Sequence, residues 1–355
     1  MSTYSLKEVV YVDAIPLDEK CLLAADIGGT NSNFGFFVIH NNSFTLLFSL
    51  HAKSQEIKSF VELVQQVLAY VQQRYRIAVT HACFAAAGVV SRNRDYCKPT
   101  NLNFAIDAKD ILSHTTLHCA VIVNDFEVIG HGIGVIDPKS LVHVSNGYPE
   151  HYANRAILGA GTGLGKCSLL WSLSTKRYMP LPSEGGHADV AAQHAIDLDL
   201  IEYIRTTEQR SCNISWEDVL SGNGIKRLYQ FFKKRNHADK TNEELEKNGL
   251  HPDKIFKSRT LDTHAFNTYK LYQKIYARCA KSFALDTLAL GGLYIAGGIA
   301  ANNLELFKDA DFMHEFINCG KQQELLKRIP IYVITDYNVS LYGAATYMVL
   351  EGLCK

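Results

Sequence analysis

From Leu22 onward, short apolar runs alternate with stretches whose apolar residues recur every three or four positions, which is the pattern of an α/β chain. Runs at 22–26, 33–39 and 44–50 predict three strands, and the short links between them predict antiparallel pairing. Phe60, Leu63, Val64, Val67, Leu68 and Val71 then share one helical face, with Ser59 and Glu62 at capping-box spacing. Residues 77–86 and 120–123 predict two further strands. The second half repeats part of this order: a strand at 155–158, a glycine-rich turn, and a strand at 167–171. Helical patterning dominates from about 191 to 290 and includes the stripe Tyr272, Ile275, Tyr276, Cys279 and Phe283, closed by Gly291-Gly292 as a C-cap. Residues 293–296 predict a strand, Gly297-Gly298 a turn, and Asn302 with Glu305 the start of a helix. A last strand at 331–334 and a helix at 341–350 complete the pattern.

Length and composition narrow the class. A chain of 355 residues exceeds one typical domain, so two lobes are expected. Lys plus Arg and Asp plus Glu number 36 each, which gives no electrostatic reason to bind nucleic acid or an anionic membrane. No apolar run reaches the length of a membrane span. Charges at Lys7, Glu8, Asp13, Asp18 and Glu19 exclude a signal peptide, so a cytoplasmic protein is expected. Nine cysteines without a CxxC pair read as reduced thiols.

Two glycine-rich turns stand where the pattern places hairpins. In Asp26-Ile27-Gly28-Gly29-Thr30-Asn31 the glycines free backbone N–H groups for phosphate oxygens, and Thr30 and Asn31 add side-chain donors. Asp26, at a strand end, is a candidate Mg²⁺ ligand. Taken alone, this turn reads as a tight hairpin. The second runs from Leu158 through Gly159, Gly161, Thr162, Gly163 and Gly165, with neither the lysine of a P-loop nor the following helix of a dinucleotide fold. Alone it reads equally as a phosphate cradle or a hairpin. Together the two turns fit duplicated halves that grip one nucleotide, the logic of actin-like ATPases. The small turn Gly297-Gly298 suits close packing of a nucleoside.

Between the turns, an apolar strand runs into Asn124-Asp125. A carboxylate at that strand end can accept a proton from an attacking hydroxyl, as the catalytic aspartate of kinases does. Helix capping is the competing use of both residues, and by itself the preferred one. Glu184 and His187, separated by two glycines, can face one space and bind sugar hydroxyls. Glu217 reads as a third sugar contact or as a helix surface residue, the sequence alone favouring the surface.

In their order, the segments 26–31, 124–125, 159–165, 184–187, 217–222 and 296–299 resemble the bacterial glucokinase family of the actin-like sugar-kinase superfamily. The likeness runs from about Leu22 to the C-terminus, and the first twenty residues precede the family's usual start. The resemblance implies an α/β, two-lobed actin-like (ribonuclease H-like) ATPase fold with a cleft between lobes. The small domain would comprise 1–135 plus 337–355 and the larger one 136–336. It further implies transfer of the ATP γ-phosphoryl group to the 6-hydroxyl of glucose, with Asp125 as general base. Asn101, Asn124, Glu184, His187 and Glu217 would bind glucose. Gly28, Gly29, Thr30 and Asn31 would form one phosphate loop and Gly161, Thr162 and Gly163 the other, with Gly297 and Gly298 at the adenosine. Mg²⁺ would be held by the ATP phosphates and Asp26. The assembly implied is a homodimer without nucleic-acid or membrane partners. Two departures appear: Phe104 stands where the family usually has Trp, and the segment 85–88 lacks a proline often found there. The alternatives are a non-catalytic sugar sensor and another actin-fold phosphotransferase.

Overall fold

A computed structural model describes residues 4–15, 21–40, 43–235, 245 and 249–353. The chain divides into two compact units: Met1–Pro138 with Tyr178–Pro182 and Asp336–Lys355, and Lys139–Arg177 with Ser183–Thr335.

In the first unit the strands are β1 (Lys7–Val10), β2 (Cys21–Ile27), β3 (Asn31–His40), β4 (Ser43–Lys53), β5 (Val79–Ala86), a small ribbon of β6 (Tyr96–Cys97) with β7 (Ile106–Asp107), and β8 (Cys119–Asn124). The main sheet has the order β1-β4-β3-β2-β5-β8, antiparallel through β2 and parallel from β2 to β8. Strand periodicity divides β2 between two cores. Leu23, Ala25 and Ile27 pack under the helices Phe60–Tyr75 and Ala108–His114. Leu22 and Ala24 face Val128, Leu341, Ala344 and Met348 of the helices Asp125–Gly132 and Val339–Leu350. The same alternation puts Asp26 on the Leu22 face. The helix Phe60–Tyr75 starts where expected, Ser59 Oγ accepting from Glu62 N.

The other six-stranded sheet contains β9 (Leu141–His143), β10 (Arg155–Ala160), β11 (Leu164–Ser172), β12 (Arg177–Ser183), β13 (Leu293–Ala296) and β14 (Ile331–Ile334), in the order β12-β11-β10-β13-β14-β9. Here too a central strand, β10, pairs antiparallel with the strand that follows it and parallel with the next. Each glycine turn therefore links the central strand of its sheet to an antiparallel neighbour. Ala156, Leu158 and Ala160 pack on the long helix Thr263–Thr287 through Tyr276, Ala280 and Ala284.

Several local expectations shift. Residues 7–10 form an edge strand paired with β4, with Lys7 and Val10 exposed and Glu8 and Val9 half-buried, as an edge allows. β12 escapes a periodicity reading because Pro180 and Pro182 interrupt it, and prolines are tolerated at a sheet edge. The long helix ends at Thr287, with Leu288 in the left-handed region as its cap rather than Gly291-Gly292. Gly291 instead meets backbone, since a Cβ there would lie 2.3 Å from Ala153 O. Asn302 closes the short helix Gly298–Ala301, donating its N–H to Gly298 O, and the helix Glu305–Lys308 starts after Leu304. Among the described residues no helix is long and apolar enough to cross a membrane.

Candidate active site

A strand that turns directly into a helix leaves its first N–H groups without partners, and a side chain must supply them. Asn124, the last residue of β8, does so: its Oδ1 accepts from Phe126 N at 3.0 Å and Glu127 N at 3.1 Å. Its Nδ2 donates to Gly88 O at 3.3 Å, and the residue is buried. Asp125 is the first residue inside the helix and half-buried, its Oδ1 also accepting from Phe126 N at 3.0 Å. The cap thus belongs to Asn124. Capping alone does not account for the carboxylate beside it, which stands in the first turn of the helix.

This helix is fixed by a close crossing. A Cβ on Gly343 would lie 1.7 Å from Val128 O, and one on Gly132 would lie 2.2 Å from Val339 O. The backbones of Asp125–Gly132 and Val339–Leu350 therefore touch with no side chain between them. The second helix carries Ser340 near its start, and Ser340 Oγ donates to Asp26 Oδ2 at 2.6 Å. Burial raises the pKa of Asp26, and the Ser340 hydrogen bond opposes that rise.

After Asp26 the chain turns through Gly28, Gly29 and Thr30, with Gly28 N donating to Asn31 O at 3.0 Å. A turn at Ser54–Glu56 supports it from outside. Ser54 N donates to Thr30 O at 3.0 Å and Ser54 Oγ to Gly28 O at 2.6 Å, while Gln55 Nε2 donates to Gly29 O at 2.7 Å and Asn101 O at 3.3 Å. Asn101 is exposed, and its neighbour Thr100 donates its N–H to Ala87 O at 3.2 Å. The first turn, Asn101 and Asn124 are thus joined through Gln55 and the segment 87–88 within one unit.

The second unit gathers the other predicted residues. Strand β11 begins at Leu164, so the turn is only Gly161, Thr162 and Gly163, with Gly161 N donating to Gly163 O at 2.8 Å. Gly222, the first residue of the helix Gly222–Arg235, donates its N–H to Gly161 O at 2.9 Å. Gly297 presses on the same turn: its φ is +93°, and a Cβ there would stand 2.6 Å from Ala160 O. Over Gly161 and Gly298, by contrast, a Cβ would meet nothing within 4 Å.

Beside the turn, Glu217 Oε2 accepts from Leu164 N at 2.9 Å. Gly186 packs on Leu164, where a Cβ would come within 1.9 Å of the carbonyl oxygen. These contacts set His187 Nε2 3.8 Å from Glu184 Oε2 and His187 Nδ1 4.0 Å from Glu217 Oε1. One imidazole and two carboxylates, all at least partly exposed, thus form a polar group suited to vicinal hydroxyls. Glu217 is no idle helix surface.

Ser340, Ser54, Gln55 and Lys166 also belong to these surroundings, and sequence reasoning did not assign them. Serines and a glutamine carry no chemical signature until the fold brings them to a turn distant in sequence. Among the described residues, no group of three or more His, Cys, Asp and Glu side chains is arranged to hold a metal ion by itself.

The residues 23–351 match the family model described as Glucokinase. The chain belongs to the glucokinase family. Glucokinase of Nostoc punctiforme is 32% identical over 339 residues, covering 91% of this chain and 97% of that one. The Synechocystis glucokinase is 30% identical over 348 residues, covering 91% and 96%. Among solved structures, a glucokinase from an Antarctic psychrotroph superposes with a TM-score of 0.73 at 25% identity, covering 93% of this chain and 99% of that one. A Balamuthia mandrillaris glucokinase in complex with glucose gives 0.78 at 21% identity, covering 92% and 93%. A ROK family glucokinase from Streptomyces griseus, in complex with glucose and AMPPNP, gives 0.63 at 16% identity, covering 92% and 98%. The fold class is accordingly the two-lobed actin-like one, with two six-stranded sheets.

Proposed function

We propose that this chain transfers the γ-phosphoryl group of ATP to the 6-hydroxyl of glucose, giving glucose 6-phosphate and ADP. The observation that carries the reading is the half-buried Asp125 carboxylate at the carboxyl end of β8, whose capping duty Asn124 performs. In this reading Asp125 orients the 6-hydroxyl and takes its proton as the oxygen bonds to the γ-phosphorus. The bond from that phosphorus to the bridging oxygen breaks, and ADP leaves with the electron pair. Glu184 and Glu217 accept from sugar hydroxyls, and His187 donates or accepts. Asn124 uses Oδ1 for the cap and one Nδ2 hydrogen for Gly88, which leaves the other hydrogen for the sugar. Asn101 adds a further contact.

The N–H groups of Gly28 to Asn31 and of Gly161 to Gly163 meet the phosphates, and Gly297 and Gly298 pack against the adenosine. Asp26 fits Mg²⁺: Ser340 bonds one carboxylate oxygen, and the other would hold the cation directly or through one of its waters. Mg²⁺ supplies charge neutralisation on the phosphates when bound. The reading also includes a cytoplasmic homodimer, and the balanced charge speaks against nucleic-acid partners.

The test is phosphoryl-transfer kinetics of purified protein on a panel of hexoses and phosphoryl donors, with ADP release followed by a coupled assay. Glucose with ATP and Mg²⁺ is expected to lead the panel. Absence of hexose-dependent ADP release would remove the reading.

A further inference from the structure

Lys166 is a long cationic side chain placed where the fold buries side chains. It is the third residue of β11, points to the same side as Leu164, and is 6% exposed. Its Nζ lies 5.9 Å from the centroid of the Trp216 ring and 5.3 Å from that of Phe283. Among the described residues no carboxylate pairs with it. Its other neighbour is the Cys279 thiol, which burial pushes up to about 11 while the hydrogen-bonded Lys166 pulls it down. An ammonium taken out of water and left to two aromatic faces and a thiol costs stability that an apolar side chain of similar length would not.

What the ammonium touches indicates its use. The Lys166 side chain runs beneath Gly185, where an added Cβ would meet its Cδ at 3.2 Å and its Nζ at 3.8 Å. Gly185 follows Glu184 and opens the short turn Gly185–His187. Trp216 precedes Glu217, whose carboxylate holds Leu164 N two residues before Lys166. Phe283 and Cys279 stand one turn apart on the long helix. One side chain therefore meets the turn that carries His187, the residue before Glu217 and the long helix behind them. Two of its contacts are each a single residue away from a carboxylate of the group.

We propose that Lys166 is the positioning residue of the Glu184–His187–Glu217 group, its ammonium clasped between Trp216 and Phe283 so that both carboxylates face the sugar at fixed spacing. The proposal rests on the glucose reading of that group. It separates sugar from nucleotide, because the contacts of Lys166 run to the sugar group, whereas the glycine turn is held by Gly222 and Gly297.

The experiment compares the parent with Lys166→Met and Lys166→Arg, measuring glucose affinity by calorimetry, KM for glucose and for ATP, and the thermal midpoint. Met keeps the length and removes the charge. Glucose Kd and KM are expected to rise about 10- to 100-fold, the scale of an ångström-level misplacement, with ATP KM little changed and the midpoint not lowered. Arg, which retains a cation able to stack on both rings, is expected to recover most of the loss. Parent-like glucose affinity in Lys166→Met overturns the proposal. So does a loss shared equally by glucose and ATP together with a lowered midpoint, which would mark ordinary packing. Should Lys166→Met fail to fold, Phe283→Leu decides: it removes one ring and keeps the lysine, and unchanged glucose KM there is equally fatal. A parent protein that binds no glucose would instead defeat the glucose reading, before any variant is made.

Discussion

The crossing of the helices Asp125–Gly132 and Val339–Leu350 permits a quantitative test at Gly343. An alanine there would place its Cβ 1.7 Å from Val128 O and 2.5 Å from the Val128 carbonyl carbon. To reach an ordinary C···O separation of about 3.3 Å, the helices must part by about 1.6 Å. Both atoms met are backbone, so no rotamer change relieves the clash. Overpacking of this kind costs about 1–3 kcal/mol or somewhat more, and this site belongs at the upper end. For a unit of this size, about 3 kcal/mol lowers Tm by roughly 6–12 °C. The displacement also separates Asp125 from the helix carrying Ser340 and its partner Asp26, and an error of 1 Å in a reacting group can cost about 10²-fold in rate. Gly343→Ala is therefore expected to lose both stability and kcat in calorimetry and the coupled ADP assay. Gly134→Ala, where a Cβ meets nothing within 4 Å, serves as control and is expected to behave as the parent. A Gly343→Ala protein with parental Tm and turnover would refute the reasoning.

Other outcomes follow from the same geometry. Asp125→Asn keeps an acceptor for Phe126 N, so it should fold normally while kcat drops by about 10²–10⁴-fold; near-parental turnover would remove Asp125 from the base role. Asp26→Asn tests the raised pKa. The folded chain holds the Asp26 proton more tightly than the unfolded chain, so this stability is present below the ordinary value of 3.8 and lost as pH rises through the raised one. The Asn variant should thus be more stable than the parent at neutral pH, with the difference closing in acid, as denaturant titrations across pH would show. Glu217→Ala strands Leu164 N and should cost about 1–3 kcal/mol, whereas Glu217→Gln keeps an acceptor and should retain stability while glucose KM rises. Arg94→Met leaves Glu127, 4% exposed and bonded to Arg94 at 2.6 and 2.7 Å, as an uncompensated buried charge. A loss of about 3–5 kcal/mol is expected in chemical unfolding.

Periodicity made most of the sheets legible. The strands β2, β3, β4, β5 and β8 and the helix Phe60–Tyr75 all stand out, because alternation and a 3.6-residue stripe are properties of local sequence. Elements stabilised chiefly by distant partners were hidden. β1 takes its place beside β4 and under Arg74 and Tyr75, which both reach Glu8, and β12 contains two prolines that deny it a strand signature. At the site, the glycine turns and the Asn124-Asp125 pair were visible as motifs. The choice between cap and carboxylate chemistry at 124–125 was not, since Phe126 N meets both side chains and it is the hydrogen bond from Glu127 N to Asn124 that separates them. Glu217 looked like surface because its partner, Leu164 N, lies 53 residues away. Ser340 lies 314 residues from Asp26, and no spacing rule reaches that far.

That last separation bears on synthesis. A ribosome delivers Asp26 and Asp125 long before Ser340, yet the Leu22–Ala24 side of the first sheet is covered in part by the helix Val339–Leu350. The half made first is therefore finished last, and a nascent chain carries an uncovered apolar sheet face while the whole middle of the polypeptide is translated. Until residues 339–350 emerge, that face is open to aggregation or to a chaperone, and the Asp125 helix lacks the helix it crosses.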